Sequence, residues 1–176
     1  MQKLTRDDLY TLEDYDRMRP EFRKKLMEHK KNRRLAIGPN ANVYFEDRLT
    51  MQYQVQEMLR AEKIFQVADI EEELAAYNPL IPDGSNWKGT FMIEYDDPEI
   101  RRVRLGELIG IERALWFQVV DHERVHPVCN EDLERETEDK TSAVHFVRIE
   151  LTDAMVQSLK NGARLHAGID HPNYNY

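Results

Sequence analysis

The sequence predicts an α+β fold: an N-terminal helical hairpin followed by a mainly antiparallel sheet with helices packed on it. Three observations carry this. Helical periodicity is concentrated before residue 78, whereas "WKGTFMIEY" and "TSAVHFVRIEL" alternate strictly between apolar and polar positions. Two strand–helix–strand units then follow in series, over 87–120 and 142–169, the order of a ferredoxin-like, split βαβ sandwich. The expected organisation is a helical region over 1–78 with a small β-ribbon and an α+β sandwich over 79–176, together one compact unit.

Each element has its own signal. Thr5 and Asp8 form a capping pair that opens a helix to about Met18, and Pro20 suits the first turn of a second helix reaching about Asn32. "RLAIG" and "NVYFE", joined across Pro39 and Asn40, read as a β-ribbon. Residues 47–65 form the longest helical segment, with Met51, Val55, Met58 and Leu59 on one stripe. Glu62 falls on the same stripe. A buried carboxylate there needs a partner or a metal, unless the helix frays by Ala61 and leaves it in water.

A short helix over 69–77 ends in the turn-rich "YNPLIPDGSN". Beyond it come a strand with Trp87, Phe91, Ile93 and Tyr95 on one face, a helix from Pro98 to about Ile109, and strands at 114–120 and 125–129 joined across "DHER". "NEDLERETEDK" is an acidic loop or short helix. Thr141–Leu151 is the clearest strand, "DAMVQSLKNG" a helix, and "ARLHAGI" the last strand. The period of two places His145 inward with Ala143, Val147 and Ile149.

A chain of 176 residues, 41% hydrophobic, can build a core without staples. Its single cysteine, Cys129, offers neither a bridge nor a cysteine-based zinc site, and no apolar leader opens the chain, so a reducing cytoplasm is the expected compartment. No run approaches the roughly 20 apolar residues of a membrane span. The net charge of -8 is split: residues 1–34 hold 11 of the 25 Lys and Arg and 7 of the 33 Asp and Glu, which gives +4 there and -12 elsewhere. The basic "HKKNRR" reads first as a helix end opposing the dipole or a solvated face, then as a segment docking within the molecule on its acidic remainder; nucleic acid ranks third.

No GxGxxG, Walker loop, GxSxG or HExxH occurs, so nucleotide binding and the standard hydrolase arrangements lose their support. "DHERVH" has metal-like spacing, but on a hairpin those side chains diverge. His145 reads first as a core residue with an ordinary partner and second as a metal ligand or acid–base group. His171 lies either at a strand end or in a tail. The candidate metal ligands are Glu62, His145 and His171, with Glu57 as a further one; the expected ion is iron or another divalent metal, and Glu62 is expected within reach of His145 or of a shared ion or water.

The segments 4–39, 45–65, 77–86, 140–152 and 168–174 resemble an uncharacterised bacterial family, a domain of unknown function. The resemblance implies a setting, since members are often encoded beside a rubrerythrin-like protein and an iron–sulfur oxidoreductase. Two functions are therefore carried forward. One is an accessory protein that binds a partner in redox or peroxide metabolism, and the other is a metal-binding protein or metal-dependent enzyme. A homodimer is left open by either.

Overall fold

The computed structural model describes residues 2–176. The chain divides into two units: the first runs to Arg33 and resumes over Glu46–Gly84, and the second comprises Arg34–Phe45 and Ser85–Tyr176.

The first unit is helical. A 3₁₀ turn at Arg6–Asp8 precedes α1 (Leu12–Lys30), and α2 (Arg48–Glu62) and α3 (Val67–Tyr77) complete it. Leu4, Met51, Val55, Leu59, Leu74 and Ile81 form its core. The ring of Phe22 stands edge-on to Tyr10, Tyr15 and Tyr53, at 5.7–6.3 Å between centroids. Such T-shaped contacts add to the burial energy of the α1–α2 seam.

Two expectations for this unit are corrected. The capping pair Thr5–Asp8 forms, but it opens only the 3₁₀ turn; α1 is capped by Thr11, whose Oγ1 accepts from the Asp14 N–H at 3.1 Å. Pro20 begins no second helix. It lies inside α1 on an exposed position, where the carbonyl deprived of its N–H partner can turn to water. The helical hairpin is thus made by α1 and α2.

The second unit holds two antiparallel sheets. Its strands are β1 (Arg34–Ile37), β2 (Ala41–Phe45), β3 (Asn86–Ile93), β4 (Leu115–Val119), β5 (Arg124–Val125), β6 (Val128–Cys129), β7 (Val144–Glu150), β8 (Leu165–His171) and β9 (Tyr174–Asn175), with helices α4 (Pro98–Glu107) and α5 (Asp153–Lys160). One sheet has the order β1-β2-β3-β7-β6, the other β5-β4-β8-β9. Each strand–helix–strand unit therefore sends its first strand to one sheet and its second to the other. β3 pairs with β7 and β4 with β8, both antiparallel, so the single four-stranded sheet of a ferredoxin-like fold is not formed. The ribbon expected in the helical region instead joins β3 through β2.

The strand expected at 125–129 is also two strands in two sheets: β5 pairs with β4, and β6 pairs with β7. Pro127 sits at the break, where it lacks the N–H a continuous ladder needs. Val43, Phe91, Ile93, Val147 and Ile149 from one sheet, with Leu115, Phe117, Val119 and Ile169 from the other, fill one core. Phe45, Trp87 and Phe117 meet edge-on within it.

The chain's last strands lock the ribbon. The Tyr174 hydroxyl donates to the Ile37 carbonyl at 2.8 Å and accepts from the N–H groups of Asn40 and Ala41 at 2.8 and 3.0 Å. Gly38 makes room for it: φ is +68°, and a Cβ there would come within 2.7 Å of that hydroxyl.

Candidate functional site

The site lies in the second unit and is built from a turn, two strands and the loop between them. Gly110, with φ +84°, ends the descent from α4 and starts a 3₁₀ turn, Ile111–Ala114, leading into β4. That turn buries Ile111 and Glu112 together. Asn130 follows β6 with φ +54°, a left-handed conformation that asparagine tolerates better than most residues. Its N–H binds the Phe146 carbonyl at 2.8 Å, which holds the turn against β7. The residue 131–140 loop then returns to β7 through the Ser142 N–H on the Arg135 carbonyl and a bridge between Glu136 and Thr141.

His145 is fully buried on β7, as its register requires, with the ring of Phe91 at 6.1 Å. Its Nε2 lies 2.9 Å from the Ser142 carbonyl and 3.1 Å from Thr141 Oγ1, while Nδ1 lies 3.0 Å from Asn130 Nδ2. A carbonyl can only accept, so the ring proton resides on Nε2. Nδ1 must then accept from the Asn130 amide nitrogen. Burial pushes the imidazole below its ordinary pKa, against the opposing pull of Glu112.

Beside this pair lies a cavity of about 470 Å³, lined by Glu112, Arg113, Cys129, Asn130 and Arg135 among others. Glu112 is 1% exposed. Its Oε1 takes Arg113 Nη1 at 3.1 Å, but Oε2 has no partner. Among the described residues four buried side-chain atoms lack a hydrogen bond, and three of them, Glu112 Oε2, Asn130 Oδ1 and Arg135 Nε, belong to residues lining this cavity. Buried polar groups left unpaired cost stability unless water or a ligand satisfies them, so their concentration in residues around one cavity makes it the candidate site.

Cys129 shares the cavity, with its Sγ 3.4 Å from the Glu112 carbonyl. Burial, followed by the charge of Glu112, pushes its thiol up to about 12. The group is a weak donor here, not a thiolate nucleophile.

The residues singled out from the sequence are distributed differently. Glu62 ends α2, exposed, before the left-handed Lys63 that caps the helix, and its charge helps push the Glu73 carboxyl up, after burial. Glu57 is part of the α1–α2 seam: it takes Arg19 through Nε and Nη2, both at 2.8 Å, and Tyr15 Oη at 2.7 Å. His171 belongs to β8; its Nε2 donates to the Ile109 carbonyl at 3.1 Å and its Nδ1 accepts from the Asn173 N–H. Both ring nitrogens of His145 and of His171 are thus engaged by protein groups, and Glu62 belongs to the other unit. Among the described residues no three His, Cys, Asp or Glu side chains are grouped as a metal ion requires. In "DHERVH", His122 meets Ser158 Oγ and His126 meets the Leu115 carbonyl, so the two diverge.

Sequence reasoning did not find Glu112, Asn130 or Arg135. Nothing in periodicity says that the second residue of a 3₁₀ turn faces inward. The usable signal was Asn130 directly after a strand-forming pair, a common mark of a left-handed turn.

Among the described residues no helix is long and apolar enough to cross a membrane. No curated protein matches the chain. A solved structure does: a crystal structure of a novel protein of unknown function from Burkholderia pseudomallei is 49% identical, with a TM-score of 0.93 over 99% of this chain and 90% of that one. Residues 3–176 match the family model described as protein of unknown function, DUF3501, and the chain belongs to that family.

Proposed function

We propose that this protein is an accessory binding protein of bacterial redox metabolism, acting beside rubrerythrin-like and iron–sulfur partners, and that its own contribution is a ligand seat in the second unit. The setting is the one the family resemblance implies. The seat is carried by one observation: Glu112, almost wholly buried and with one carboxylate oxygen unpartnered, is among the residues lining a cavity large enough for a small molecule. Binding fits the local chemistry better than nucleophilic catalysis does. The Cys129 thiol is held protonated and the His145 imidazole is held by three protein groups, so neither is poised to attack or to shuttle a proton.

A fragment screen by amide-resolved NMR, with acids, amines and neutral polar compounds in equal share, tests the seat. Hits should perturb Glu112, Cys129, Asn130 and His145 as a group. Hits scattered over the surface, with none at these residues, remove the reading.

A further inference from the structure

Resting on that ligand-seat reading, we propose that the cavity beside Glu112 takes a small organic cation with N–H donors: a primary ammonium, amidinium or guanidinium group. The charge inventory leads there. Arg113 is spent on Glu112 Oε1 and on both oxygens of Glu136, at 3.0 and 3.1 Å. Arg135 pairs with Asp132 and lies over the Phe146 ring, 4.6 Å from its centroid. Each arginine is therefore neutralised within the protein. What remains without a partner is one carboxylate oxygen, one amide oxygen and a single arginine N–H.

Two acceptors against one donor, with the net uncompensated charge negative, select a ligand that donates at least twice and carries positive charge. An anion would have to displace Glu136 from Arg113 and then lie beside Glu112. A divalent metal ion fits less well: Glu134 and Glu136 also line the cavity, but Glu136 is held by Arg113, His145 has no free nitrogen, and among the described residues no three His, Cys, Asp or Glu side chains are grouped as a metal ion requires.

His145 has a positioning role in this seat. Its Nε2 proton is fixed by the Ser142 carbonyl, so its Nδ1 holds the Asn130 amide nitrogen. The amide oxygen is left over as the second acceptor. Replacing the histidine should therefore weaken cation binding without removing Glu112.

The test is an amide-resolved NMR titration of the full chain with methylguanidinium and propylammonium, with acetate and N-methylurea as anionic and neutral controls at matched ionic strength. Both cations should shift Glu112, Cys129 and Asn130 saturably, acetate should not, and Glu112→Gln should weaken the cations at least tenfold with the fold intact. If Glu112→Gln does not fold, the wild-type preference for methylguanidinium over N-methylurea decides the same point. Equal binding of N-methylurea, or preferential binding of acetate, overturns the cation assignment and leaves the seat standing. Silence from all four probes overturns the cation assignment when the mixed fragments still bind at these residues, and overturns the seat as well when they do not.

Discussion

Asn130 Nδ2 lies 3.0 Å from His145 Nδ1, and the Ser142 carbonyl at 2.9 Å from Nε2 fixes which partner donates. A backbone carbonyl thus sets a tautomer, and the tautomer sets the amide of Asn130, a residue that lines the cavity. The chain of hydrogen bonds is local, yet it decides which end of the Asn130 amide is left without a partner.

Acid should act on this relay. Burial holds the His145 pKa below its ordinary value, so the unfolded chain takes the proton more readily than the folded one. Stability then falls as pH drops below about 6.5, the ordinary histidine value. The charged groups acting on the ring are Glu112, Arg135 and Glu136. Protonation at Nδ1 would also require the Asn130 amide to reverse, presenting its oxygen to the ring and leaving its nitrogen unpaired. Urea unfolding from pH 8 to 5 should show a slope that a His145→Gln variant lacks, and equal slopes in both proteins would contradict the buried neutral ring. His145→Ala at neutral pH should cost about 2–4 kcal/mol, as lost packing and orphaned partners require.

Glu112 should show the opposite balance. A buried carboxylate with one oxygen unpartnered weakens the fold, and Gln keeps the acceptor that Arg113 uses. Glu112→Gln is therefore expected to be neutral or to stabilise by about 1 kcal/mol in denaturant titrations. A loss of 3 kcal/mol or more would mark Glu112 as a structural ion pair.

The α1–α2 seam predicts a second acid effect. Arg19, and then Tyr15, hold the Glu57 carboxyl down to about 2, in spite of burial. This stabilisation is fully present above the ordinary carboxylate value and is lost as pH falls through about 2. Glu57→Gln should remove roughly 1–2 kcal/mol at neutral pH, once solvent screening of a pair whose side chains are 32% and 25% exposed is allowed for. Its acid unfolding should then be flatter below pH 4 than that of the wild type.

The basic run separates into unequal parts. Lys31 pairs with Glu28 on an exposed surface, whereas Arg33 and His29 both reach Asp47 at 2.7 Å. Burial opposes ionisation of Asp47, but the Thr50 N–H, His29 and Arg33 together hold its carboxyl below the ordinary value. Arg33→Gln should cost about 1–2 kcal/mol, while Lys30→Gln and Lys31→Gln together stay within about 0.5 kcal/mol. Comparable losses in the two proteins would show that Asp47 does not depend on Arg33.

What could be read in the sequence follows from which signals are periodic. The stripe Met51, Val55, Met58 and Leu59 and the inward register of His145 rest on fixed repeats, and both stand in the structure except that Met58 is only half-buried. Prolines were less informative. Pro20 lies within a helix it was expected to start, because an exposed position lets the broken turn hydrate, and Pro127 divides what looked like one strand between two sheets. The partition into two sheets depends on long-range pairing, which alternation cannot specify, since β3 and β4 read alike as strands. The cavity was least visible: Glu112, Asn130 and Arg135 come from a 3₁₀ turn, a left-handed residue and a loop, none of which has a period.

The most direct measurement is a crystal structure of the protein soaked in methylguanidinium chloride, compared with one soaked in N-methylurea. The account predicts a planar cation in the cavity, with one N–H on Glu112 Oε2, another on Asn130 Oδ1, and the His145–Asn130 bond unchanged. Cation density elsewhere on the surface, with Glu112 Oε2 satisfied by a side chain or water that the cation does not displace, would contradict it.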